Sequence, residues 1–298
     1  MKVLVLLGGD SPEREVSLRS GKAVAEALTA SRHEVFEYDP AKGYGGLANF
    51  AGKVDCVFPI LHGKGGEDGE VQEQLEKYGY KYLGSGPAAC KLTIDKAVFK
   101  TSIGQLDIAT PSWEVVTEEQ FKNSSLAQKP YVLKAIEGGS TIDCFIIREV
   151  KKQNPPHDIF NRYPKMLLEE IIEGTEITVP ILGKEALSVV EIIPPEGAEF
   201  DYEHKYDGSS QELSPPINVP LNQQQEAQKL AELIHTRLNV RHLSRTDMMI
   251  DETGKIWVIE LNTIPGLTPQ SLYPKGAKAS GLSMEDLVQK FLDLVMLE

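Results

Sequence analysis

The sequence predicts a mixed fold: an open α/β region at the N-terminal end and α+β regions after it. Two observations predict it. Near the start, strand-like runs alternate with helix-periodic stretches, the β-α-β-α order of a parallel sheet. Further on, short strands face one another across polar, Gly-containing turns, as antiparallel pairs do. The 298 residues leave room for roughly two to three domains with real cores. Their boundaries are set at 1–92, 93–180 and 181–298.

Residues 3–7 are continuously apolar, as a buried parallel strand is. Gly8-Gly9-Asp10-Ser11-Pro12 turns the chain. Residues 16–28 follow as an amphipathic helix, with Val16, Ala23, Val24 and Leu28 at helical spacing. Strands are expected at 34–38 and 54–61, then a helix at 71–78. Ligands of open α/β sheets bind beyond the carboxyl ends of the strands. Both Gly-rich turns fall there. Gly8-Gly9 alone is a weak signal, because it is no G-x-G-x-x-G fingerprint. The run from His62 to Gly69 is stronger, since four glycines with Glu67 and Asp68 suggest backbone approaching a ligand. At that strand end His62 reads as functional.

The second region opens with a short helix from Asp95. A strand follows Pro111-Ser112-Trp113, and another covers 131–134. After Lys134 comes Glu137-Gly138-Gly139-Ser140-Thr141, which offers N–H and hydroxyl groups to phosphate oxygens. A flexible hairpin tip fits that spacing equally well. Residues 166–171 and 176–182 read as a strand pair around Glu173-Gly174-Thr175. Glu169, Glu170 and Glu176 flank it, suited to hydroxyl or amino partners or to solvent. Asn154-Pro155-Pro156 breaks any helix there, and 159–165 shows no clear pattern.

The third region has a strand at 188–193 and a long polar loop at 200–216. Tyr202, Lys205 and Tyr206 inside that loop favour a lid over a surface insert. Residues 222–238 read as a helix capped by Asn222. Residues 272–280 are helical up to Gly281, and Ser283-Met284-Glu285-Asp286 starts a capping box. The last helix keeps Leu287, Val288, Phe291, Leu292 and Val295 on one face, which is core packing.

The densest chemistry lies in residues 245–271. Two strands flank Asp251-Glu252-Thr253-Gly254, a polar turn ending in Gly. With Ile250 opposite Lys255, Asp247 faces Val258 and Arg245 faces Glu260. Alternation then puts Arg245, Asp247, Glu260 and Asn262 on one face, and Met248, Ile250, Trp257, Ile259 and Leu261 on the core face. Two carboxylates and an amide oxygen are hard ligands suited to Mg²⁺ with substrate phosphates. Arg245 beside them can stabilise charge developing in phosphoryl transfer.

The formal net charge of −13 argues against a nucleic-acid or membrane-surface binder. Cys56, Cys90 and Cys144 form no disulfide framework and no metal motif, and read as reduced thiols in a cytoplasmic protein. The opening apolar run is too short for a signal segment, and no run approaches membrane-spanning length.

Three motifs carry a resemblance. R-x-D…E-x-N-T-x-P-G-x-T-x-x-S over residues 245–271 resembles the carboxy-terminal signature of the D-alanine–D-alanine ligases, within the ATP-grasp superfamily. G-G-x-S-x-E-R-E-V-S-L-x-S-G over residues 8–21 is similar to the family's first motif, and H-G-x-x-G-E-D-G over 62–69 to its second. Asp95-Lys96, Lys134, Gly139-Ser140, Glu169-Glu170…Glu176 and Tyr202…Lys205-Tyr206 fall in family order.

The resemblance implies an ATP-grasp architecture. An N-terminal open-sheet substrate domain would stand beside two α+β domains gripping ATP, with loop 200–216 as lid. It implies ligation of two D-alanine molecules through a D-alanyl phosphate, for peptidoglycan precursors, by a cytoplasmic homodimer. Carried over by position, Lys96 and Lys134 would hold ATP phosphates, Glu169, Glu170 and Ile172 the base end, and Glu176 the ribose. Asp247, Glu260 and Asn262 would hold two Mg²⁺, with Mn²⁺ as a substitute. Arg245 and the Gly266 N–H would stabilise the oxyanion. Glu13 would hold the first ammonium, with His62 nearby, and Ser271 and Leu272 the second carboxylate, with Lys205 also on substrate. Glu13, Ser140 and Tyr206 would tie the lid to the site.

This chain departs from the family pattern in having Lys134-Ala135 for Lys-Pro and Ile142-Asp143 for Val-Gly, the latter setting a negative charge near the presumed phosphate loop. Competing readings are a D-alanine–D-lactate or D-serine ligase, another carboxylate–amine ligase, or a nucleotide-binding homologue without turnover. Tyr206 speaks for D-alanine, and the intact Arg245, Asp247, Glu260 and Asn262 for catalysis.

Overall fold

The computed structural model describes residues 1–139, 142–195 and 210–297. Its strands are β1 Lys2–Leu6, β2 Glu34–Tyr38, β3 Cys56–Pro59, β4 Trp113–Val116, β5 Tyr131–Lys134, β6 Cys144–Ile147, β7 Met166–Glu170, β8 Gly174–Leu182, β9 Glu185–Ala186, β10 Val190–Ile193, β11 Gln211–Leu213, β12 Leu243–Asp251 and β13 Ile256–Asn262. Its helices are α1 Arg14–Ala30, α2 Glu70–Lys77, α3 Pro87–Ile94, α4 Lys96–Gly104, α5 Glu118–Asn123, α6 Ile159–Arg162, α7 Leu221–Arg237, α8 Leu272–Ala279 and α9 Met284–Met296.

The first sheet is parallel, in the order β2-β1-β3. β1 is apolar and buried from Val3 to Leu6 because both its faces are covered there. Val3 and Val5 pack with Val24 and Leu28 of α1 and Phe291 of α9, while Leu4 and Leu6 pack with Leu47, Val71 and Leu75. Gly21 lets α1 approach closely, since a Cβ there would stand 2.5 Å from Leu7 Cβ. The Ser283–Asp286 capping box starts α9 as expected.

The second sheet is antiparallel, β4-β7-β5-β6, and the third runs β11-β10-β8-β12-β13 with β9 on β8. The expected pairing of 166–171 with 176–182 does not occur. β7 lies between β4 and β5, and β8 lies between β10 and β12, in a different sheet. β7 is buried along nearly all its length and β8 over 177–181, and each is paired on both edges, so neither has an edge for the other. Ile171-Ile172-Glu173 carries the chain from one sheet to the next. β8 begins at Gly174 because a Cβ there would lie 2.0 Å from the Ile250 carbonyl oxygen.

Three smaller expectations change. Asn222 does not cap α7. Pro220 occupies the cap position, its carbonyl accepting from Gln223 and Gln224 N–H, so Asn222 is already inside the first turn. Residues 159–162 form the short helix α6 where no pattern was legible. Within the 200–216 loop, Gln211–Leu213 is strand β11, paired with β10, so that part has ladder structure of its own. Among the described residues, no helix is long and apolar enough to cross a membrane.

The Gly174 contact makes a prediction. Gly174→Ala is expected to lower unfolding stability by about 2 kcal/mol, because backbone oxygen cannot yield as a flexible side chain would. Denaturant titration monitored by fluorescence reads it, and an unchanged midpoint would contradict the packing described.

Candidate active site

The β12–β13 hairpin carries the charged centre, in a register one step from the expected one. Ile250 faces Ile256, not Lys255, because Lys255 belongs to the turn. Asp251 holds that turn: its Oδ1 accepts from Thr253 N–H at 2.9 Å and Lys255 N–H at 3.1 Å, and its Oδ2 from Trp257 Nε1 at 2.8 Å. The register then shifts between Asp247 and Met248, so that Asp247 faces Glu260 and Arg245 faces Asn262. The extra residue is Ile259. This β-bulge re-phases the strand. Ile256, Val258 and Leu261 enter the core with Met248 and Ile250. Trp257 and Ile259, expected there, do not. Trp257 is half-buried under Lys255, whose Nζ lies 3.5 Å from the ring centroid, and Ile259 lines the cleft.

The expected charged face does form. Arg245 grips Asp247 with two parallel bonds, Nε to Oδ1 at 2.8 Å and Nη2 to Oδ2 at 2.7 Å. Thr178 Oγ1 of β8 donates to Asp247 Oδ1 at 2.5 Å, and Asn262 Nδ2 to Oδ2 at 3.2 Å.

A cleft of about 200 Å³ lies between the second and third sheets. Lys96, Lys134, Glu169, Glu170, Ile172 and Glu176 all line it, as do Asp247 and Glu260. Lys96 begins α4, whose first turn is capped by Asp95. Its Nζ donates to the Gly138 carbonyl at 2.6 Å and stands 3.9 Å from Glu260. Lys134 Nζ is 2.7 Å from Glu169 Oε2. Burial opposes the Lys134 charge, but Glu169 and Glu260 outweigh it and its pKa is raised. Glu169 likewise resists burial through Lys134 and Lys100, and its pKa is lowered. Glu170 accepts the Ser112 N–H at 2.8 Å. Asp143 turns away from it: Arg162 Nη1 and Tyr163 Oη donate to its two oxygens at 2.9 and 2.7 Å, which neutralises the charge that departs from the family pattern.

A second cavity, about 910 Å³, is lined by Glu13, His62, Arg245, Gly266, Ser271 and Leu272, among others. Serines of the first motif assemble it. Ser11 Oγ donates to the His62 carbonyl at 2.7 Å, and Ser17 Oγ to the Ile60 carbonyl at 2.5 Å while accepting Gly8 N–H. Ser20 Oγ accepts Leu267 N–H at 3.3 Å and lies 3.4 Å from His62 Nε2. Burial holds the His62 pKa down to about 4, against a backbone bond to Ile264. His62 is therefore neutral at pH 7. Glu67 accepts Gly63 N–H at 2.7 Å, and burial, with Glu13 adding, raises its pKa well above the carboxylate range. Ser271 stands at the start of α8, where free N–H groups favour an anion. Gly266 is confined against it, since a Cβ would lie 2.9 Å from Ser271 Oγ.

Ser140, Tyr202, Lys205 and Tyr206 lie outside the described residues. Sequence reasoning missed Lys100, Thr178 and Glu67 as partners. Only Glu67 had a signal, its place in the Gly-rich turn.

A clamp of two antiparallel sheets with lysines inside it, set beside an open parallel sheet, is the ATP-grasp architecture. The family model described as D-ala D-ala ligase C-terminus matches residues 103–293, and the one described as D-ala D-ala ligase N-terminus matches 41–85. A D-alanine–D-alanine ligase of Aquifex aeolicus is 38% identical over 97% of this chain and 98% of its own length. One from Maridesulfovibrio salexigens is 36% identical over 99% and 98%. The crystal structure of the Bacillus anthracis D-alanine–D-alanine ligase complexed with ATP superposes with a TM-score of 0.85 at 27% identity, covering 100% of this chain and 98% of that one. The chain belongs to the D-alanine–D-alanine ligase family.

The neutral, buried His62 sets a pH dependence. Its pKa is 6.5 ordinarily and about 4 in the fold. Between those values the unfolded chain binds more protons at His62, so the His62 contribution to stability is complete above about pH 6.5 and is lost as pH falls toward about 4, whereas Glu67, with its raised pKa, acts in the opposite direction. His235, also drawn down to about 4 by burial, acts in the same direction as His62. His62→Gln is expected to flatten the fall in thermal midpoint between about pH 7 and 5 without abolishing it. A slope equal to the parent's would remove His62 from this account.

Proposed function

We propose that this protein joins two D-alanine molecules into D-alanyl-D-alanine at the expense of ATP, in the cytoplasm and as a homodimer. One observation carries the reading: Gly139 and Glu260 line both cavities. A nucleotide in the first and an amino acid in the second would therefore meet at the Glu260 face.

In this reading the adenine rests against Glu169, Glu170 and the backbone at Ile172, and the ribose against Glu176. Lys96 and Lys134 neutralise the phosphates. Asp247, Glu260 and Asn262 are the ligands for two Mg²⁺. The donor set fits, being hard oxygens on one face of adjacent strands. Among the described residues no three His, Cys, Asp or Glu side chains group to hold a metal by themselves, and substrate phosphates would share the ions with the protein oxygens. Bound there, Mg²⁺ would supply charge neutralisation to the transferred phosphoryl group.

Glu13 binds the ammonium of the first D-alanine and so orients its carboxylate. The γ-phosphoryl group passes to a carboxylate oxygen, giving D-alanyl phosphate and ADP. The neutral amine of the second D-alanine, held by Ser271 and Leu272 at its carboxylate, attacks the acyl carbon. A C–N bond forms, the C–O bond to phosphate breaks with its electron pair leaving on phosphate, and the amine gives up a proton. Arg245 and the Gly266 N–H stabilise the oxyanion between those events. Ser140, Lys205 and Tyr206 would close the site.

The test is phosphate release from Mg²⁺-ATP with D-alanine, L-alanine or no amino acid, with the product identified by mass. Release only with D-alanine, together with the dipeptide, is expected. Release equal with all three would overturn the assignment. Glu260→Gln is expected to cut turnover by on the order of 10²-fold or more while circular dichroism stays unchanged; parental turnover in that variant would remove the metal assignment.

A further inference from the structure

Lys100 has no part in the chemistry above, yet its side chain is wholly buried. It stands one turn beyond Lys96 on α4. Its ammonium lies 2.8 Å from Glu169 Oε1 and donates to Thr110 Oγ1 at 2.6 Å. The other oxygen of Glu169 is 2.7 Å from Lys134 Nζ. Thr110 passes the connection on, donating to the Val258 carbonyl at 2.8 Å, in the strand that bears Glu260. One buried carboxylate thus stands between two buried ammonium groups, at the point where α4, β5, β7 and the β12–β13 hairpin meet.

The two lysines are not equivalent. Lys134 lines the first cavity, and Lys100 does not. An anion entering the cavity can draw Lys134 away from Glu169 but cannot reach Lys100. Of the groups in direct contact, Lys100 and Lys134 carry one positive charge more than Glu169, with Glu260 the further carboxylate that acts on both lysines. Lys100 feels that excess: burial draws its pKa below the ordinary lysine range, against the pull of Glu169. If Lys134 turned to a phosphate with no Lys100 behind it, Glu169 would be left a buried carboxylate without a cation, a costly state.

We propose that Lys100 is a positioning residue for nucleotide binding, which keeps Glu169 charge-balanced so that Lys134 can exchange its carboxylate partner for a phosphate. The inference rests on the reading of the first cavity as the ATP site. It predicts that the loss of Lys100 is felt where phosphate binds and not at the amino-acid pocket.

The experiment compares the full-length parent, Lys100→Met, Glu169→Gln and the double variant Lys100→Met/Glu169→Gln. Calorimetric titration uses ADP as the probe, and steady-state kinetics vary ATP and D-alanine separately. Lys100→Met is expected to weaken ADP binding and raise the ATP KM by about tenfold, with kcat at saturating ATP and the D-alanine KM within about twofold of the parent. In the double variant Glu169 no longer traps Lys134, and ADP affinity is expected to lie within about threefold of Glu169→Gln alone, which carries any change at the adenine end by itself. The double variant removes one charge of each sign, so it tests the idea even if Lys100→Met does not fold. Unchanged ADP affinity in Lys100→Met, a parallel loss in kcat and both KM values, or a double variant about tenfold weaker than Glu169→Gln would each overturn the proposal. Failure of the parent itself to bind ADP would instead sink the ATP-site reading, and the inference with it.

Discussion

The β-bulge in the β12–β13 hairpin is the constraint on which both cavities depend. Under strict alternation Glu260 would share a face with Ile256 and Val258 and point into the core. The inserted Ile259 changes the phase after Val258, so Leu261 continues the core while Glu260 and Asn262 turn outward to Asp247 and Arg245. A strand can then be apolar enough to hold a sheet and still deliver a carboxylate and an amide to one point. Asp247 is fixed there by four hydrogen bonds from three residues, Arg245, Thr178 and Asn262. Such fixation lowers the reorganisation needed when charge changes nearby.

Charge in this protein is arranged locally rather than globally. The chain as a whole is strongly acidic, yet the cleft holds Lys96 and Lys134, with Lys100 behind them. Each is tied to a carboxylate or carbonyl and so is held in place before any ligand arrives. Asp143 shows the reverse case. Its position near the phosphate loop reads as repulsive, but Arg162 and Tyr163 take both of its oxygens. The partner that makes the residue tolerable comes from α6, a segment without a readable pattern.

Much of the fold was legible because its signals are local. The strand at Glu34–Tyr38 and the strand at Tyr131–Lys134 fell where expected, and the charged face of the hairpin held despite the wrong register, because two shifts in phase brought Glu260 and Asn262 back to it. What failed was non-local. Nothing in residues 166–182 says that β7 and β8 enter different sheets, since each strand's partners lie elsewhere in the chain. A bulge leaves no mark in a pattern of alternation that is already imperfect. Lys100 looks like a solvated helix residue, and only the tertiary placement of Glu169 and Thr110 shows why it is buried. Asn222 reads as a cap because its type favours one, but the cap position falls two residues sooner, at Pro220.

The passage from β7 to β8 is only three residues long, and two of them, Ile171 and Ile172, line the cleft between the two antiparallel sheets. The second and third sheets are joined there by a link too short to absorb much rotation without changing its own backbone angles. Whatever rests on Ile171 and Ile172 rests on the joint between the jaws. In the ligase reading this is the adenine. Occupancy by the base and the angle of the jaws would then be one mechanical variable, and a nucleotide lacking its base would fill the phosphate end without setting the grip.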